Sequence, residues 1–200
     1  MTIVYVDGEN LLHRVEDVLS ARNMISHKTE ITHFDLSGLI RQLLPEEPEV
    51  EIRYYGTKLR SAGINDPATK LKAERMVESQ RRLKRDLEKQ GVTFISSGNL
   101  RVRDGVVCRN CGHQETIFQE KGVDVRLAVD LVREAISESQ QVVLSSDSDL
   151  LPAIKAAKEI GSKITYIAFE KAVNRALVAV ADNARTYTSK QAVDGFMGDL

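Results

Sequence analysis

Cysteine is nearly absent from this chain: two, Cys108 and Cys111, stand in one C-x-x-C. A disulfide framework needs several spaced cysteines, so the stapled secreted class is excluded. Apolar runs are short, and none approaches the ~20 residues of a membrane-spanning helix. The opening M-T-I-V-Y-V-D lacks the basic leader and cleavage site of a signal peptide and reads as a strand. An excess of charge is missing too. Lys and Arg number 28 against 29 Asp and Glu, a net charge of −1, so any surface for a polyanion must be local. There are no internal repeats, no low-complexity tracts, no Gly-rich phosphate loop and no Ser/His/Asp arrangement. His13, His27, His33 and His113 fall in no shared motif. These absences lead us to expect a cytoplasmic protein with no membrane partner.

What is present is an ordinary globular composition, 42% hydrophobic and 28% charged, over 200 residues. That length suits one α/β domain and buries a core without staples. Strand and helix patterns alternate. Strands are predicted at 2–7, 50–55, 92–95, 141–145, 163–169 and 185–187. Helices are predicted at 10–21, 34–44, 67–89, 123–137, 149–160 and 171–181, with a weak one at 189–197. Asp66-Pro67 supplies an N-cap and an N1 proline, and Gly91 and Gly161 stop helices. One segment breaks the alternation. Residues 100–119 read as a β-hairpin insertion around Asp104-Gly105 and the C-x-x-C-G-H turn. The predicted fold class is a three-layer α/β/α domain with a mostly parallel sheet, one domain over 1–200, plus that hairpin.

The stretch V-V-L-S-S-D-S-D-L, residues 142–150, organises the rest. It is a short apolar strand that breaks into Ser145, Ser146, Asp147, Ser148 and Asp149 before a helix resumes. The first strand is built the same way, ending in Asp7-Gly8-Glu9-Asn10. Ligands of open α/β sheets sit outside the carboxyl ends of the strands, so both ends face one crevice. Lys121-Gly122-Val123-Asp124 adds an acid at the start of another helix. Each aspartate has a plainer reading as a helix cap. Asp130, almost two turns along, reads as an exposed or salt-bridged acid. Four converging carboxylates would repel and partly protonate without a cation. Such oxygen-only donors suit Mg²⁺ or Mn²⁺. Asn10 can orient Asp7, ligate through its carbonyl or donate to a phosphate.

D-G-E-N after the first strand, K-G-V-D before a helix and S-S-D-S-D-L-L-P after a later strand together resemble the NYN domain, a branch of the PIN-like ribonuclease superfamily. The resemblance covers roughly residues 1–170. It implies a PIN-like sheet and metal-dependent cleavage of RNA, probed best with single strands. It also implies metal-binding roles for Asp7, Asp124, Asp147 and Asp149, with Asn10 in support, and a metal-activated water attacking the phosphodiester. Tyr54-Tyr55-Gly56 resembles the family's second-strand ending. Tyr55 is thus a candidate to stack on a base, with core packing as the alternative. Lys121 and Ser146 join it as candidate RNA contacts.

Two features stand outside that pattern. Cys108, Cys111 and His113 offer three of the four ligands of a structural Zn²⁺ site, with a homodimer or a distant histidine needed to complete it. A plain reduced hairpin and a redox pair are the alternatives. The helix 67–89 places Arg81, Arg85 and Lys89 on one face. That face reads either as solvated and laced with Glu74, Glu78, Asp86 and Glu88, or as a rail for the RNA backbone, extended by Lys58, Arg60, Arg101 and Arg103. A non-catalytic RNA- or protein-binding module of the same fold is the rival to the nuclease. A phosphatase is the weaker one, because Glu9 stands where the haloacid-dehalogenase pattern wants aspartate.

Overall fold

The structure, a computed structural model, describes residues 1–59, 66–107, 110–112, 114–136 and 139–197. Its centre is a six-stranded sheet of β1 (Thr2–Asp7), β2 (Val50–Thr57), β3 (Thr93–Ser97), β6 (Gln140–Leu144), β7 (Lys163–Phe169) and β8 (Asn183–Tyr187). The order is β3-β2-β1-β6-β7-β8, and every pairing is parallel. From β1 the chain steps outward to β2 and β3, then returns to β1's other side and steps outward again through β7 and β8. The order therefore reverses between β1 and β6, and the crevice at such a switch point is where these sheets bind ligands.

Alternation along the strands makes two cores. Val4, Val6, Tyr54, Val142 and Leu144 face α1 (Gly8–Ser20), α2 (Leu36–Leu43), α3 (Pro67–Lys89) and α7 (Ser189–Met197). Tyr5, Tyr55, Val143 and Tyr166 face α4 (Val123–Arg133), α5 (Leu151–Ile160) and α6 (Arg175–Val180). Strands buried on both faces read as continuous apolar runs, as β1 and β6 do. The expected three-layer α/β fold is the observed one.

The hairpin is present as β4 (Asn99–Val107) and β5 (Gln114–Lys121), antiparallel and separate from the main sheet. Two glycines in left-handed conformation, Gly98 at φ 67° and Gly122 at φ 84°, let the chain leave and rejoin at one point. A Cβ on Gly98 would strike the Lys121 carbonyl, so only glycine fits there. Asp104-Gly105 is not a turn. It lies within β4, where the register with β5 shifts between Asp104 and Val107. Cys111 is exposed in the hairpin end, whereas Cys108 and His113 lie outside the described residues, as does Arg60. The Zn²⁺ reading therefore gains nothing from the fold, nor does the homodimer invoked to complete it.

Two other expectations were too long. The helix predicted at 171–181 spans only Arg175–Val180, because the Asn174 side chain caps Ala176 and Leu177. The one predicted at 123–137 ends at Arg133. Among the described residues no helix is long and apolar enough to cross a membrane.

Candidate functional site

Asp7 closes β1 and is the N-cap of α1, so its backbone stays extended while its side chain turns back. One oxygen, Oδ1, accepts the Asn10 backbone N–H at 3.1 Å. The other, Oδ2, accepts the Ser145 hydroxyl at 2.7 Å, which ties the end of β1 to the residue after β6. Asn10 reinforces that tie, since its Oδ1 accepts the Ser146 N–H at 3.1 Å. Ser145 Oγ also accepts the Asp147 N–H at 3.0 Å, and Asp147 Oδ1 accepts the Asp149 N–H at 2.9 Å as a short 3₁₀ turn begins. A Cβ on Gly8 would collide with the Tyr54 ring and the Tyr55 carbonyl, so glycine lets α1 start this close to β2.

The two aspartates of the first and the later strand are thus both caps and neighbours in one crevice. Asp124 is different. The N-cap of α4 is Gly122, with no side-chain cap, so Asp124 does not serve as one. Asp124 and Asp149 line one shallow groove between α4 and α5.

Burial and like charge act together on these acids. Asp7 is 4% exposed, and its carboxyl is pushed up to about 6. Burial is the main cause, opposed by the hydrogen bonds from Ser145 and Asn10 and reinforced by the charges of Asp124 and Asp147. Asp124 is raised by burial and then by Asp147 and Asp149. Among the described residues, the two charges that raise Asp124, Asp147 and Asp149, are of its own sign. A buried acid surrounded by acids is stable only if protonated or given a cation.

The donor set is hard oxygen throughout, which suits Mg²⁺ or Mn²⁺. Among the described residues, however, no three His, Cys, Asp or Glu side chains are grouped tightly enough to hold an ion between them. The fit is therefore to a hydrated ion on one or two carboxylates with phosphate oxygens completing its shell, rather than to a closed protein cage.

The remaining candidates divide. Tyr55 is a correction: it is fully buried, donates to Asp130 Oδ2 at 3.1 Å and lies beside Tyr5 with ring centroids 6.2 Å apart, so it offers no face to a base. Tyr54 is buried as well, and its hydroxyl donates to the Gly8 carbonyl. Ser146 turns its Oγ inward, beside the Tyr166 hydroxyl, while its carbonyl accepts from Asn174 Nδ2 at 3.2 Å. Lys121 is exposed at the end of β5.

On α3, the Glu78 carboxylate takes Arg82 at 2.9 Å and Arg85 at 3.9 Å, and Arg85 Nε donates to the Arg81 carbonyl. That side of the helix is laced as the solvated reading expects. Arg81 and Lys89 are exposed on it. Sequence reasoning missed Ser145 as the partner of Asp7, although it stands inside the S-S-D-S-D run. It also missed Asn174, for which no local signal exists.

A family model for the NYN domain matches residues 1–188. No curated protein matches the sequence. Among solved structures, the chain is similar to a protein of unknown function, VPA0982, from Vibrio parahaemolyticus RIMD 2210633. The TM-score is 0.57 and the identity 17%, over 92% of this chain and 91% of that one. At that identity the likeness concerns the fold alone. A phosphofructokinase-2 mutant from Escherichia coli aligns at TM-score 0.40 and 11% identity, over 82% of this chain and 51% of that one, too loosely to bear on the argument. With the family model spanning nearly its whole length and acids at the switch point of its sheet, the chain belongs to the NYN domain family, within the PIN-like nuclease superfamily.

Proposed function

We propose that this protein is a divalent-metal-dependent endoribonuclease acting on single-stranded RNA. Membership of the NYN family supports the nuclease-type, RNA-related class. The observation that carries the finer reading is Asp7, a buried carboxylate at the β1/β6 switch point whose named charged neighbours, Asp124 and Asp147, are acids. A Mg²⁺ or Mn²⁺ ion bound there would supply an activated water and charge stabilisation at a phosphodiester.

In this reading one or two of Asp7, Asp147, Asp124 and Asp149 would hold the ion, and the others would orient its hydration. Ser145 and Asn10 fix the Asp7 carboxylate, so that its geometry is set before substrate arrives. Exposed cations, Lys121 three residues before Asp124 and Arg81, Arg85 and Lys89 on α3, would draw the phosphate backbone in from the flanks. The test is cleavage of a labelled single-stranded RNA with Mg²⁺ or Mn²⁺, with EDTA, and with Asp147→Asn. Asparagine keeps the acceptor for the Asp149 N–H and removes the charge. Cleavage is expected with metal and lost in both controls. An Asp147→Asn protein that cuts as fast as the parent would overturn the assignment.

One observation favours a second reading, a non-catalytic RNA-binding module of the same fold: no three-ligand group is preassembled among the described residues. RNA binding that EDTA does not weaken, with no cleavage under any divalent ion, would select it.

A further inference from the structure

Asn174 is the N-cap of α6, and the two atoms of its side-chain tip do different things. Its Oδ1 accepts the Ala176 N–H at 3.0 Å and the Leu177 N–H at 3.4 Å, which starts the helix. Its Nδ2 donates to the Ser146 carbonyl at 3.2 Å, 28 residues back along the chain. The cap alone does not require asparagine, since serine, threonine or aspartate would accept the same N–H groups. Asparagine is the one among these that also carries an N–H donor at the end of its side chain.

The carbonyl it grips belongs to the peptide that leads into Asp147. The N–H of that same peptide is accepted by Ser145 Oγ at 3.0 Å, and Ser145 in turn donates to Asp7 Oδ2. One peptide earlier, the Ser146 N–H is accepted by Asn10 Oδ1 at 3.1 Å. Asn10 comes from α1 on one face of the sheet, and Asn174 from α6 on the other. Two asparagines therefore close on the main chain of Ser146 from opposite layers. Behind them the hydroxyl of buried Tyr166 accepts the Asn174 backbone N–H at 3.1 Å, a bond that any residue except proline would keep. Asp147 lies among acids that repel it, so its place depends on such main-chain anchors.

We infer that Asn174 is a positioning residue for the acid notch: by holding the Ser146 carbonyl, it sets where Asp147 and Asp149 stand relative to Asp7. The inference rests on the reading of the notch as the cleavage site and adds α6 to its supports.

Two substitutions separate the cap from the grip. Asn174→Ser keeps a cap, but its hydroxyl is one bond shorter than the amide that reaches Ser146. Asn174→Ala removes both. Each is compared with the parent by circular dichroism melts, by hydrogen–deuterium exchange of the metal-free protein, and by steady-state cleavage of labelled single-stranded RNA with Mn²⁺. Asn174→Ser should melt with the parent and exchange faster over residues 145–150 but not over 175–181. Its kcat should fall about tenfold with KM unchanged. Asn174→Ala should show the same losses and a lower Tm. A folded Asn174→Ser protein with the parent's kcat overturns the proposal, because losses confined to Asn174→Ala would make the residue a helix cap only. If Asn174→Ser does not fold, Asn174→Thr, which also caps, takes its place. A parent that cleaves no RNA with metal is a failure of the nuclease reading instead. Exchange over 145–150 then decides alone, and unchanged protection there in the capped variant overturns the positioning role.

Discussion

Asp7 and Asp130 are withdrawn from water to nearly the same extent, 4% and 6% exposed, yet they keep opposite company. Asp130, on α4, accepts Arg126 Nε at 2.8 Å and the Tyr55 hydroxyl at 3.1 Å. Its charge is matched by the guanidinium, as a buried ion requires. Asp7 has a hydroxyl and an N–H for partners, and its charged neighbours Asp124 and Asp147 are like it in sign. Burial alone therefore does not mark a functional acid. The mark is a charge that the fold leaves uncompensated, placed where the strand order reverses.

Replacing Asp7 breaks that contrast most severely. Its carboxyl stands at about 6 in the folded chain against 3.8 as the ordinary value. Between those values the folded state holds a proton that the unfolded state has released. Without metal, stability from this group is complete below about pH 4 and is lost as pH rises through about 6, on the order of 3 kcal/mol. Asp7→Asn should remove that loss and also abolish cleavage. Urea titrations of metal-free parent and variant from pH 4 to 7 would then show the variant's advantage growing with pH. A constant difference across the window would sink the account.

The matched acid should respond the other way. Asp130→Ala leaves the buried Tyr55 hydroxyl without its acceptor, so a destabilisation of about 1–3 kcal/mol is expected. Below the lowered melting temperature, RNA cleavage should proceed at the parent rate. A loss of cleavage in the folded variant would erase the distinction between the two acids. The last change, Ser145→Ala, removes the bond accepted from the Asp147 N–H and the bond given to Asp7, each worth about 1 kcal/mol. Because the bond given to Asp7 holds its carboxyl down, the acidic limb of the pH–rate profile should move upward, with activity reduced by about 10-fold. A limb that stays in place would show that Ser145 does not act through Asp7.

Parts of this picture were legible in the residues themselves. The long helix at 67–89 and the strand at 163–169 were read to the residue, because Asp66-Pro67, Gly91 and Gly161 punctuate them locally. The acids at the strand ends were legible too, since an apolar run that breaks into a carboxylate and turn residues marks the carboxyl end of a buried strand. Tyr55 was not. Alternation says only that a strand has two faces, and on a sheet covered by helices both faces are interior. Asp104-Gly105 misled for a similar reason: the dipeptide signals a turn in isolation, but pairing with β5 holds it inside a bulged strand.

By itself, then, the sequence determined the elements and most of their ends, because periodicity, capping aspartates and left-handed glycines act within a few residues of chain. Only the tertiary structure decided that β1 lies against β6, that Ser145 rather than its neighbour Ser146 grips Asp7 from 138 residues away, and that Arg126 neutralises Asp130 while the charges beside Asp7 are those of other acids. Those outcomes depend on which charges and hydroxyls meet after the sheet assembles, and no local pattern carries that information.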